Sequence, residues 1–188
     1  VTNLLRLLDL PNEVLEMVRN GAISAGHARA LLGLKDSAQM LSLAQRIVET
    51  VKKAVDVPVT VKCRLGWDKG TINVLEFSKR MEDAGAAMIA VHGRTRSMLY
   101  SGVADWDYIR KVKEQCAVPV IANGDIVSGE TAVRCKKWTG ADGVMIGRAT
   151  FGDPWIFAQA KAALAGEEIP DRPVLSKRVD VAVRQFEL

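Results

Sequence analysis

An α/β fold of four parallel strand–helix units, preceded by a small all-helical segment, is what this sequence predicts. Three observations carry that expectation. Before about residue 50, every periodic segment has helical spacing. After residue 56, four short, β-rich apolar runs alternate with helical stretches. Those runs are nearly continuous rather than alternating, which is the pattern of parallel strands covered on both faces.

Each element has its own local reason. Val1 to Leu8 places Leu4, Leu5, Leu7 and Leu8 mostly at helical spacing. Pro11 restarts the chain, and PNEVLEMVRNG reads as a short helix with Pro near its start and Gly21 just past its end. Ser24 is a cap for SAGHARALLGL, which Gly33 weakens or ends. Asp36 or Ser37 caps a fourth helix that runs through LSLAQRIVETVKKAV. The strands are expected at VPVTVKC (57–63), AMIAVHG (87–93), VPVIANG (118–124) and DGVMIGR (142–148). Helices TINVLEFSKRMEDAG, WDYIRKVKEQC and SGETAVRCKKWTG lie between them, as right-handed βα crossovers require. Beyond Phe157, FAQAKAALAGEE and SKRVDVAVRQFEL return to helical patterning.

Composition narrows the function classes. With 188 residues, 48% of them hydrophobic and 26% charged, the chain is globular and fits one domain, or one plus a fragment. A net charge of +4 is a mild bias toward anionic partners. Three cysteines, with no C-x-x-C pair, suggest neither a disulfide framework nor a zinc site, and no metal is expected. No apolar run approaches the roughly 18 residues of a membrane span and no signal peptide opens the chain, so no membrane partner and a cytoplasmic location are expected.

The polar residues cluster where the strands end. Lys62, Cys63 and Arg64 close the first run, and His92, Gly93 and Arg94 the second. Asn123, Gly124 and Asp125 close the third, and Gly147 and Arg148 the fourth. In parallel α/β folds, the carboxyl ends of strands carry the site. Singly, each cluster has a plain reading: His92 as a satisfied core histidine, Asn-Gly-Asp as a turn, Gly-Arg as turn chemistry, Cys63 as a small buried hydrophobe. Together they point to a ligand, and the chemistry points to an anion. Gly124 and Gly147 leave backbone N–H groups approachable, following helices offer their N-termini, and Arg148 adds a charged fork. Lys62 stands across the mouth, placed to neutralise an electron-rich ring.

VPVTVKCRLGWD, IAVHGRTR, SGVADWDYIRKVK, VPVIANGDI and DGVMIGRATFGDPWIF together resemble the tRNA-dihydrouridine synthases, over about residues 50–188. The resemblance implies the C-terminal half of a TIM (β/α)8 barrel and reduction of uridine to dihydrouridine in tRNA. It also implies FMN held by Lys62, His92, Asn123–Gly124–Asp125 and Gly147–Arg148, NADPH as reductant, and tRNA as partner. The family's Asn-x-Gly-Cys-Pro motif does not occur in these residues, and Cys63, Cys116 and Cys135 match no catalytic position. No catalytic residue is therefore expected here, and the chain is expected to be an incomplete, inactive form. VTNLLRLLDLPNEVLEMVRNGAISAGHARALLGLKD resembles the ParB-like partition proteins, which implies DNA as a partner.

The expected division is a ParB-like helical fragment at 1–48, a partial FMN-binding barrel at 49–160, and the start of a helical tRNA-binding domain at 161–188. Self-association through open sheet edges is also expected. Two other functions stay open: a ParB-like DNA-binding protein, and a non-catalytic half-barrel that binds FMN or phosphate.

Overall fold

The computed structural model describes Glu16 and residues 37–186. The three helices expected before residue 36, and with them most of the ParB-like fragment, fall outside the described residues. Helix α1 spans Ser37–Ala54, so it begins at an expected cap and runs unbroken past residue 48. Then come β1 (Thr60–Arg64), α2 (Val74–Asp83), β2 (Met88–His92), α3 (Trp106–Gln115), β3 (Val120–Asn123), α4 (Gly129–Thr139) and β4 (Gly143–Met145). A 3-10 turn at Arg148–Thr150 leads to α5 (Ile156–Ala165) and α6 (Leu175–Phe186).

All four strands are shorter than expected, and β3, like β1, begins only after its proline, at Val120 rather than Val118. The first does not start at Val57. Pro58 has no N–H for the ladder, and pairing begins at Thr60 opposite Met88. The fourth is only three residues long. It pairs from Gly143 to Met145, and Gly147 and Arg148 leave the sheet.

All pairings are parallel, and the strand order β1-β2-β3-β4 follows the chain without reversal. One face of the sheet carries Val61, Cys63, Ile89, Val91, Val120, Ala122 and Val144. It packs on Val74 and Met81 of α2, Ile109 and Val112 of α3, Ala132 and Cys135 of α4, and Ala160 of α5. A doubly wound sheet would reverse its strand order and take helices on both faces. Helices on one face with sequential strands are the geometry of consecutive units in a (β/α)8 barrel.

The helices start and stop for identifiable reasons. Asp105 caps α3, its side chain accepting from the Asp107 N–H at 3.0 Å. Ser128 and Thr131 form a capping box on α4, and Gly140 closes that helix in the left-handed conformation. Below the sheet, Glu82 at the end of α2 accepts from the N–H groups of Ala117 (2.7 Å) and Val118 (3.0 Å). Asp142 accepts from the Val120 N–H at 2.7 Å and from Lys113 at 2.8 Å. Two carboxylates thus brace the entry to β3 from both sides. Helix α6 leaves Leu175, Val179 and Val183 exposed along one stripe.

Candidate functional site

Register puts the polar strand ends on one level. Arg64 lies opposite His92, His92 opposite Asn123, and Asn123 opposite Met145. Side chains alternate along a strand, so these four share the face turned away from the helices. Lys62 shares it too, one pleat deeper and opposite Ala90.

The Asn123–Gly124–Asp125 turn is gripped on every side. Asn123 Nδ2 donates to Met145 O at 2.8 Å, and Trp106 Nε1 donates to Gly124 O at 3.0 Å. Gly124 has φ +119°, and a Cβ there would lie 2.7 Å from Ala104 Cβ and 3.0 Å from His92 Cδ2. Its missing side chain therefore makes room for the protein's own atoms, not for a ligand. Asp125 adopts φ +56°. Its carboxylate accepts from Arg94 Nη2 at 2.7 and 2.8 Å and from the Ala104 N–H at 2.7 Å. Desolvation opposes its ionisation, but those hydrogen bonds and the charges of Arg94 and Arg148 outweigh it and hold the pKa below the usual carboxylate value. The Asp125 side chain is thus an internal tie, and what the turn can still offer a ligand is backbone.

Arg94, which the sequence placed at a strand end without a role, is the centre of this network. It is 2% exposed. Its Nε donates to Ser101 O at 3.0 Å and its Nη2 to Gly102 O at 2.8 Å, besides the bonds to Asp125. Nη1 lies 3.5 Å from His92 Nε2. A guanidinium can only donate, so Nε2 is the acceptor and the ring proton sits on Nδ1. His92 is buried, and burial first, then the charges of Arg64, Lys62 and Arg94, push its pKa down to about 3. It is a neutral imidazole in cationic surroundings.

Gly147 and Arg148 turn out differently from Gly124. Nothing lies within 4 Å of where a Cβ on Gly147 would sit. The 3-10 turn follows this strand, and α5 begins at Ile156, close to the expected Phe157, so no long-helix N-terminus stands directly at Gly147. Among the described residues, the N–H groups of Gly124, Asp125, Gly147 and Arg148 make no hydrogen bond. The Arg148 guanidinium is 3.5 Å from Asp125 Oδ1 and lies over the Tyr100 ring at 4.5 Å. From the far edge of the sheet, Arg64 reaches the same ring at 5.8 Å and donates to Thr95 O and Leu99 O. Residues 93–105 therefore arch over the strand ends. Sequence reasoning missed Tyr100, although a connection of that length between compact elements is itself a functional signal.

Lys62 is exposed, yet desolvation, then Arg64, lowers its pKa. The carboxylate of Glu16 acts on it in the opposite direction and lies 3.0 Å from Arg96. The cysteines are unsuited to nucleophilic roles that need a thiolate. Burial raises all three thiols, with Cys63 and Cys135 pushed up to about 12.

Comparison with known proteins bears on this arrangement. The dihydrouridine synthase (Dus) family model matches residues 38–187, and the ParB HTH domain model matches residues 1–57. Both resemblances read from the sequence are thus recovered, and the two matches overlap over residues 38–57, nearly the whole of α1. The probable tRNA-dihydrouridine synthase 1 of Synechocystis sp. is 46% identical over 147 residues, covering 78% of this chain and 41% of that protein. The probable tRNA-dihydrouridine synthase of Rickettsia conorii is 45% identical, covering 77% and 44%. The tRNA-dihydrouridine synthase B of Pasteurella multocida is 41% identical, covering 79% and 45%. The chain spans less than half the length of these relatives. No helix among the described residues is long and apolar enough to cross a membrane.

Proposed function

The chain belongs to the dihydrouridine synthase family, and from that premise we propose that its strand ends hold FMN for the reduction of uridine to 5,6-dihydrouridine in tRNA. One observation carries the reading: a half-exposed arginine, an open glycine and unbonded backbone N–H groups meet beyond β3 and β4. The residues present fit a phosphorylated flavin. A phosphate takes short bonds from backbone N–H groups and from a guanidinium. Gly147 has the open space for one, and Arg148 stands beside it. Lys62 and Arg64 supply positive charge from the other edge, and neutral His92 offers hydrogen bonding without a further cation. When bound, the flavin supplies hydride transfer, with NADPH as its reductant. Asn123 and Asp125 shape the turn through their side chains and leave its backbone to face the ligand.

Binding by the 188-residue chain tests this reading. FMN is expected to bind more tightly than riboflavin, because the phosphate meets most of the donors. Arg148→Ala is expected to cost about 1.5–3 kcal/mol of FMN affinity, the range for hydrogen bonds to charged groups, and to leave riboflavin unchanged. Equal affinity for the two flavins would overturn the phosphate assignment. NADPH oxidation and dihydrouridine formation then separate an enzyme from a half-barrel that only binds FMN. Residues 161–188 are taken as the start of a tRNA-contacting helical region.

A second reading rests on the ParB HTH match over residues 1–57. It makes the N-terminal segment a DNA contact. Duplex binding that survives removal of flavin and prefers one sequence at elevated salt would favour it, whereas binding lost uniformly with salt would reflect only the basic charge.

A further inference from the structure

We propose that Arg94 is a positioning residue that holds Arg148 on the ligand's anionic group, an inference that rests on the FMN reading above. Arg148 has two named contacts in the fold. One is the Tyr100 ring, 4.5 Å from the guanidinium, and the other is Asp125 Oδ1 at 3.5 Å. Both lead back to the same buried side chain. Arg94 Nε and Nη2 bind Ser101 O and Gly102 O, the two carbonyls that follow Tyr100, at 3.0 and 2.8 Å. The same Nη2 binds both Asp125 oxygens, at 2.7 and 2.8 Å.

One planar fork therefore fixes both walls of the slot in which Arg148 sits. The geometry is specific to a guanidinium. Five donors in one plane can serve two backbone carbonyls on one side and a carboxylate on another, which a lysine ammonium on a flexible stem cannot reproduce. The ion pair with Asp125 has a further consequence. Without Arg94, the Asp125 carboxylate would be left to the Ala104 N–H and Arg148 alone. Arg148 would then be drawn onto Asp125 as its counter-ion and away from a phosphate. Arg94 satisfies Asp125 so that Arg148 remains available. Tyr100 contributes the opposite wall, and its contact with Arg148 needs a ring face but no hydroxyl.

The readout is the ratio of FMN to riboflavin affinity, measured by fluorescence quenching on the 188-residue chain. General loosening of the fold weakens both flavins alike, so only a change at the phosphate moves the ratio. In the wild type the ratio is expected to be about 10 or more, from the added charged hydrogen bonds. Arg148→Ala brings it toward one and serves as the reference. Arg94→Lys, with Arg148 intact, is expected to bring it most of the way to that reference. Tyr100→Leu is expected to lower it in part, and Tyr100→Phe to restore it. Tyr100 is 55% exposed, so its variants do not threaten the core. A folded Arg94→Lys that keeps the wild-type ratio overturns the inference. If that variant does not fold, Tyr100→Leu decides in the same way. A wild-type ratio near one overturns the phosphate reading itself, and the inference with it.

Discussion

Residues around the strand ends divide into those left open, where we propose the ligand sits, and those that hold the others in place. Arg148 and Gly147 belong to the first kind; Arg94, Asp125 and Gly124 to the second. Residue type and position in the chain made Lys62, His92, Asn123 and Arg148 legible as candidates, because strand-end placement is a local property. The tie from Arg94 to Asp125 crosses 31 residues of sequence, and the stacking of Arg148 on Tyr100 crosses more, so neither could be read from spacing. His92 illustrates how the surroundings set chemistry. With a folded pKa near 3 against about 6.5 in an unfolded chain, the unfolded state takes up a proton first as the pH falls. The stability that neutral His92 contributes is therefore complete above about pH 6.5 and is lost progressively as the pH drops toward 3. Histidine resonances followed by NMR should show one imidazole still neutral at about pH 5, where an ordinary one is charged. A midpoint between about 6 and 7 for His92 would contradict the cationic cage described here.

At the level of elements, helices were easier to read than strands. Helix α4 was legible as the stretch SGETAVRCKKWTG, and the structure uses its first and last residues, Ser128 and Gly140, as caps. Strand ends were misplaced for physical reasons that apolar runs do not encode. Pro58 delays β1, and β4 stops after three pairs, where Gly147 and Arg148 turn out of the sheet. The braces beneath the sheet were invisible, since Glu82 and Asp142 look like ordinary surface acids. Glu82 receives two backbone N–H groups, and its side chain is only 11% exposed. Glu82→Ala would leave those N–H groups without their acceptor. It is expected to destabilise the chain by about 1–3 kcal/mol, measured by urea unfolding with an unchanged m-value. Lys79, then the Val118 N–H, holds the Glu82 pKa below its usual value. Its contribution is therefore present above about pH 4.5 and lost as the pH falls through the folded pKa. Loss of less than about 0.5 kcal/mol in Glu82→Ala would show that solvent replaces those bonds, and the brace would be discarded.

For the molecule as a whole, the sheet poses the question. Its four parallel strands end in β1 on one side and β4 on the other, and neither outer edge carries a further strand among the described residues. Unpaired backbone groups on a parallel edge are a template for another strand, and parallel sheets seldom leave them bare. Exposed apolar groups add to this, with Val57 beside β1 and the Leu175, Val179 and Val183 stripe on α6. The 188-residue chain is therefore expected to self-associate at roughly tens of micromolar, seen by sedimentation velocity as species heavier than a monomer. Two variants separate the causes. Met145→Lys sets a charge on the β4 edge, which natural sheets use to block pairing, and is expected to shift the distribution toward monomer. Val179→Asp removes the centre of the α6 stripe and is expected to shift it if helix faces drive the contact instead. If the wild type stays a stable monomer across that range, the open edges do not act as templates. If it associates but Met145→Lys leaves the distribution untouched, pairing through β4 is excluded, and the contact must lie at β1 or along α6.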